Sequence, residues 1–482
     1  MKIGLILFFL VLGVPGLAQQ PDRSTPPEPG PPASLTLPAV QHLCLSNGLV
    51  VMLMEKHDVP LVHVKLVVRS GAVMDPEGRA GVASMTASLL TGGAGFRDAL
   101  QLSDAIEYLG ASLSAAAGNH TSAVSLFTPL ARFDSALVLM ADVVLRPSFP
   151  ASELQREQKQ RLTTLIQWRD NPRSVASVLF HRQLYGEDHQ YGRASVGDEQ
   201  SITATTTDDV RRFHDSFYRP NNAGLIVVGD VTAASLLPKL EMLFGEWQKR
   251  PVPDHSLPPT TQVTGRKVLL VDRPGSAQTR IQIGQIGAAR LTEDYYSLTV
   301  LNTILGGSFA SRLNNNLREE HGYSYGAGSR FDFRPLPGPF FAAASVQSDV
   351  TDSALVEFLN ELDAIREPVP EDELARAKNY VALRFPAGFQ SVTDIVNQLD
   401  DLFVYGLPDD YFNTYTSRIS SVTGDDVHRA AKRYIDPEHL LIVLVGDRKV
   451  IESGVKALDI GPVESLTIED VLGPLPDLGV LD

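Results

Sequence analysis

Two stretches of this 482-residue chain repeat each other at a constant distance, and that repeat restricts the folds open to it more than any other feature. TDDVRRFHDSFYRPNNAGLIVVGDV and TGDDVHRAAKRYIDPEHLLIVLVGD align with Val210 on Val427 and Asp230 on Asp447, both 217 residues apart (427 − 210 and 447 − 230). Each copy passes from an amphipathic helix pattern into a short apolar strand pattern. Glu153 and Leu154 recur as Glu373 and Leu374 in a second pair of charged helices, at a spacing of 220 (373 − 153). Spacing held across both a helix and a strand implies a duplicated αβ unit.

The elements inside the first copy follow from local pattern. Segments 49–54 and 61–68 are rich in β-branched and aliphatic residues and read as strands. Helical spacing covers 82–90, 102–109, 133–144, 150–168 and 208–218, while 111–117 and 122–128 read as a hairpin around Asn119. The expected class is therefore α+β, with two homologous domains, each a mainly antiparallel sheet with helices packed on one face. The expected boundaries are 37–248 for the first domain, 249–265 for a linker marked by Pro251, Pro253, Pro258 and Pro259, 266–450 for the second domain, and 451–482 for an acidic tail.

Ahead of these units, residues 1–18 place one lysine before an apolar run that ends at Ala18, the pattern of a cleaved secretory signal. Residues 19–36 form a proline-rich linker with extended preference. The expected location is outside the cytoplasm, periplasmic or secreted, with no membrane span once the signal is removed. A formal charge of −15 and the lack of any lysine or arginine block argue against nucleic-acid partners. The single cysteine, Cys44, excludes an intrachain disulfide, and its apolar strand-like context predicts a buried, inert thiol.

The stretch 306–326, GGSFASRLNNNLREEHGYSYG, carries the clearest recognition chemistry. Arg318 stands seven residues before Tyr325, so a helix ending near Gly322 would let a guanidinium and a phenol face one groove. Both are donors suited to the carbonyls of an extended peptide or to charge building on one of them.

The phrases DPEGRAGVA, FYRPNNAGLIVVGD and LGGSFASRLNNNLREEHGYSYG, in that order on a duplicated framework, resemble the insulinase-like peptidases of family M16. The resemblance covers nearly everything between Val40 and Val450 and implies a clam-like enclosure of two α+β domains. Active members carry His-x-x-Glu-His on the helix after the Gly-x-Ala turn, two histidines binding zinc and the glutamate activating water. Matched residue by residue, Ser84 and Ser88 stand at the histidine positions and Ala87 at the glutamate position, and the distal zinc glutamate falls near Thr164. None of these suits zinc.

In the family, an arginine and tyrosine spaced as Arg318 and Tyr325 help bind substrate in the second domain, and some bacterial members divide the two roles between chains. The resemblance therefore implies a non-catalytic subunit without a cofactor of its own. It would pair with a zinc-bearing M16 subunit and bind a peptide or unfolded polypeptide through Arg318 and Tyr325. Two other readings remain open at this level: a structural or binding protein of the M16 fold with no part in proteolysis, and an enzyme with a rebuilt metal site using His181, His189 or Asp188.

Overall fold

The computed structural model describes residues 30, 37–254 and 256–481. The secretory leader expected at 1–18, and all of the proline-rich 19–36 except Gly30, lie outside the described residues. The first half of the chain builds a six-stranded sheet from β1 (Gln41–Cys44), β2 (Val50–Glu55), β3 (Leu61–Val68), β4 (Ser112–Ala117), β5 (Ser122–Pro129) and β6 (Ala223–Gly229), ordered β1-β2-β6-β3-β5-β4. The second half builds another from β7 (Lys267–Asp272), β8 (Gln278–Ile286), β9 (Ser324–Phe331), β10 (Pro339–Gln347), β11 (Leu441–Gly446) and β12 (Val463–Leu466), ordered β9-β10-β8-β11-β7-β12. Most pairings are antiparallel; β2 with β6, and β7 with both β11 and β12, run parallel. The repeat is legible in the starts of β2 and β7, which are 217 residues apart (267 − 50).

The repeat breaks at one sheet edge, and this corrects the expected acidic tail at 451–482. The strand beside β2 is β1, antiparallel and N-terminal, whereas the corresponding place beside β7 is taken by β12, parallel and C-terminal. Pairing satisfies the backbone donors and acceptors along that edge of β7, which would otherwise stay unmatched. The chain then forms a short helix, Ile468–Leu472, and is pinned to the first half where Arg169 donates to the Gly473 carbonyl at 2.8 Å. Cys44 also departs from expectation: on β1, an edge strand, its side chain is exposed.

Five helices matter for the site: α1 (Val82–Leu89), α2 (Ala151–Arg169), α3 (Pro172–Tyr185), α4 (Glu371–Arg384) and α5 (Val392–Tyr405). The pairs α2/α4 and α3/α5 each start 220 residues apart (371 − 151 and 392 − 172). Helix α3 was not legible in the pattern, and it and α5 are exchanged between the halves. Helix α3, from the first half, lies on β8 and β11 of the second sheet, while α5, from the second half, lies on β3 and β6 of the first. Val175, Leu179, Phe180 and Leu184 of α3 are buried with Leu269, Val271, Leu441, Val443 and Val445 of the second sheet. Each sheet thus carries its own helices on one face and a borrowed helix on the other, which is why β6 and β11 are buried along their whole length.

Glycine makes the closest of these approaches possible. A Cβ on Gly224 of β6 would run into the Phe403 ring of α5. Gly224→Ala is accordingly expected to destabilise the protein by about 1–3 kcal/mol through overpacking. Phe403→Leu should recover part of that loss in the double variant, read from denaturation midpoints; additive losses would mean the ring is not what the methyl meets.

The same seam contains a pH-sensitive contact. His63 of β3 sits between Thr393 of α5 (3.0 Å) and Ser125 of β5 (2.6 Å), and burial, with Lys65 nearby, pushes it down to about 4. A folded value below the unfolded 6.5 means that the neutral ring is favoured in the fold. The stability it contributes is present above pH 6.5 and is lost as the pH falls toward 4, by about 2 kcal/mol after allowance for partial solvent access. Melting temperature measured between pH 7 and 4.5 should fall less for His63→Gln than for the natural protein.

Candidate functional site

The loop before α1 is built to present that helix. The buried Asp75 carboxylate accepts from the amides of Gly81 (2.6 Å) and Ala83 (2.7 Å), closing the 75–81 loop onto the first turn. Burial raises this carboxyl to about 7, against the pull of those two amides. Gly81 has φ +92°, and a Cβ there would meet the Val196 carbonyl at 2.7 Å, so only glycine lets segment 195–197 pass over the turn.

What α1 presents is not a metal site. Ser84 Oγ accepts from Arg161 Nη1 at 2.8 Å and lies 2.6 Å from the Ser195 carbonyl. Ser88 Oγ donates back to the Ser84 carbonyl (3.1 Å), Ala87 is fully buried, and Thr164 Oγ1 donates to the Gln160 carbonyl (3.0 Å). Arg161, on α2 one turn before Thr164, is 6 % exposed and crosses to α1. Its Nη1 also reaches the Val196 carbonyl at 3.0 Å, and its Nε donates to Glu157 at 2.9 Å. A permanent cation therefore lies against the face where the family holds a divalent one, and the remaining donors are neutral hydroxyls. This donor set does not fit zinc.

Arg161 is the residue that pattern reading missed. Leu154, Gln158, Arg161 and Leu165 recur at i, i+4, i+7 and i+11 along α2, the core-facing spacing. A glutamine and an arginine inside an apolar stripe were the available signal.

No rebuilt metal site is assembled from the other candidates. Among the described residues no group of three histidine, cysteine or acidic side chains is placed to hold a metal. His181 lies within α3, its Nδ1 on the Ser177 carbonyl at 2.8 Å and its Nε2 3.4 Å from Arg334. His189 uses Nδ1 to accept from the Tyr191 amide (2.9 Å) and Nε2 on the Pro258 carbonyl (3.2 Å). Burial lowers the pKa of both imidazoles.

Segment 306–326 forms a turn, a tight helix and an edge strand. Gly306 accepts from the Ser329 amide at 3.1 Å, and a Cβ on it would strike that same amide. The chain then makes one helical turn, Arg312–Asn314, followed by a π-helical segment, Asn315–Glu320, a local widening often found at functional positions. Arg312 anchors it through a two-pronged pair with Glu373 of α4 at 2.9 and 2.6 Å. Arg318 projects from the π segment, its guanidinium 4.6 Å from the Phe309 ring centroid.

Gly322, at φ +65°, turns the chain into β9, where the register slips between Ser324 and Ala327. That slip throws Tyr325 outward to 92 % exposure. Tyr325 stands on the rim of a cavity of about 800 Å³ that also includes Arg173, Arg273 and Arg280, and Arg318 is not among its lining residues. The two residues thus share one segment and reach the surface on separate supports, the phenol on the strand and the guanidinium on the π turn. The three cavity arginines were not singled out in the sequence, where they lie far apart.

Comparison with other proteins places these features in a family. Residues 50–197 match the model described as Insulinase (Peptidase family M16), and residues 204–381 match that described as Peptidase M16 inactive domain. An uncharacterized zinc protease of Rickettsia bellii is 24 % identical over 338 residues, 70 % of this chain and 81 % of that protein. The non-peptidase homolog YmxG of Helicobacter pylori is 21 % identical over 399 residues, 82 % of this chain and 91 % of its own. The crystal structure of a peptidase M16 inactive domain from Pseudomonas fluorescens superposes with a TM-score of 0.79 at 27 % identity, covering 85 % of this chain and 98 % of that one. A protease from Helicobacter pylori shares the fold with a TM-score of 0.80 at 20 % identity, covering 85 % and 100 %.

Proposed function

Since the chain belongs to peptidase family M16 and carries Ser84, Ala87 and Ser88 where the family has its zinc motif, we propose that it serves as the non-catalytic, substrate-binding half of a divided peptidase, paired outside the cytoplasm with a zinc-bearing M16 chain. The observation that carries the reading is the contrast between its two sites. The α1 face is closed by Arg161, while Arg318 and Tyr325 remain at the surface. Metal and water-activating carboxylate belong to the partner. Arg318 contributes a fixed positive charge and Tyr325 a hydroxyl donor, both suited to a peptide carbonyl and to the negative charge that develops on its oxygen. The outer edge of β4 has no strand partner among the described residues, so an extended peptide has backbone groups to pair with there.

Equimolar mixing with a zinc-bearing M16 chain from the same cell tests the proposal. Hydrolysis of a quenched fluorescent peptide should rise well above that of either chain alone, and an unchanged rate would refute the pairing. Export is tested separately by sequencing the N-terminus of the mature protein from the extracytoplasmic fraction: a start after Ala18 supports it, and an intact Met1 in the cytoplasm overturns it.

A further inference from the structure

The cavity beside Tyr325 has an unusual charge. Its floor is Arg280 of β8 and Ser345 of β10, one wall is 324–326 of β9, and Arg173 overhangs it from the first turn of α3. Arg273 closes the far side, held by the Asp170 carbonyl at 3.1 Å. Among the described residues, no acidic side chain lines this space. None of the three guanidiniums has an ion pair among the described residues, and Arg280 Nε is buried without a hydrogen-bond partner. In a chain of formal charge −15, a cavity walled by three unneutralised arginines is not a consequence of bulk composition.

The duplication supplies an internal control. Arg280 corresponds to His63 at the strand spacing of 217 (280 − 63), and Arg173 corresponds to Thr393 at the helix spacing of 220 (393 − 173). In the first sheet those positions meet as a neutral hydrogen bond, His63 to Thr393 at 3.0 Å, with Phe127 packed beside the imidazole. At the equivalent place in the second sheet the pair is replaced by two like charges, and Phe127 by Ser345 (345 − 127 = 218). The fold therefore does not require a cavity or a charge here. Burial and the neighbouring Arg173 together pull Arg280 down to about 10, the direction expected of a cation lacking a counter-ion. The start of α3, pointing its N-terminal end into the same space, adds to the preference for an anion.

We propose that this cavity binds a carboxylate of the peptide substrate, so that the chain selects acidic segments or a peptide's own C-terminus. The inference rests on the peptide-binding reading above and specifies its substrate class. Guanidiniums pair with carboxylates in a planar, two-pronged fashion, and Tyr325 on the rim belongs to β9, itself the edge strand of the second sheet.

Fluorescence anisotropy on the full chain tests it with three ten-residue peptides of Ala, Ser, Gly and Leu carrying a neutral dye. One ends in a free carboxylate, one has the C-terminal amide, and one has the amide with two internal glutamates. A carboxylate-bearing peptide should bind about tenfold more tightly than the neutral amide, and which of the two does so identifies the source of the carboxylate. Arg173→Gln and, separately, Arg280→Gln should bring its affinity down to that of the neutral peptide, with thermal melts confirming that each variant is folded.

Tyr325→Ala should weaken all three peptides alike. Equal affinity for charged and neutral peptides, or a preference that survives both arginine substitutions, overturns this inference alone. Absence of binding by any peptide overturns the peptide-binding reading and this one with it. Displacement of the acidic peptide by inorganic phosphate at far lower concentration than by acetate would assign the cavity to a phosphate instead.

Discussion

Arg318→Ala is expected to lower peptide turnover by the mixed, zinc-complemented complex about a hundredfold or more, while the complex still elutes as one species on gel filtration. The size follows from removing a charged donor from a site where negative charge develops, which costs roughly 3–4 kcal/mol of transition-state stabilisation. Assembly should survive because Arg318 is no structural anchor. Its guanidinium rests on the exposed Phe309 ring and near Glu319, whereas Arg312, clamped to Glu373, holds the segment in place. Tyr325→Phe, which deletes one hydroxyl from a side chain that is 92 % exposed, should cost about tenfold and leave stability untouched. Full activity in both variants would move the protein to the scaffold reading, with the fold kept and proteolysis carried by other chains.

Arg161→Ala should be the most destabilising single change on the vacated metal face, by about 3–5 kcal/mol. Truncation leaves the Val196 carbonyl and Ser84 Oγ without their donor and Glu157 without its partner in a buried setting. Denaturant midpoints compared with the natural protein measure this. The same residue governs whether the zinc motif can be rebuilt. Ser84→His, Ala87→Glu and Ser88→His together should fail to bind stoichiometric zinc while Arg161 remains, because a fixed guanidinium occupies the space a dication would take. Adding Arg161→Ala and Thr164→Glu should allow zinc to bind, read by metal analysis after dialysis. Zinc binding by the triple variant with Arg161 in place would show that the arginine moves aside freely.

The sequence already contained the duplication, most strand and helix positions of the first half, and the missing zinc ligands, because each is written in local period or in residue identity. Val210 and Val427 mark equivalent helices without any knowledge of how those helices pack, and Ser84, Ala87 and Ser88 are unsuited to zinc in any conformation. Three features escaped. Helix α3 has a weak pattern because the half-buried face opposite Val175, Leu179, Phe180 and Leu184 also carries Val178 and Tyr185, which blurs its amphipathic period. Strand β12 leaves little pattern because acidic and turn residues surround only four residues of strand. In the sequence, Arg161 is one more charge on a charged helix.

Sequence alone thus determined that there are two copies of one αβ unit, that the first lacks the means to hold zinc, and that the second keeps an arginine and a tyrosine in the stretch 306–326. Only the tertiary structure decided that the copies exchange helices, that Arg161 rather than empty space faces α1, and that Arg173, Arg273 and Arg280 meet beside Tyr325. The physical reason is the range of the interactions. Hydrophobic period and ligand chemistry act over a few residues and leave a readable pattern, whereas Arg173 and Arg280 become neighbours only because α3 finds its apolar surface on a sheet formed by the other half of the chain.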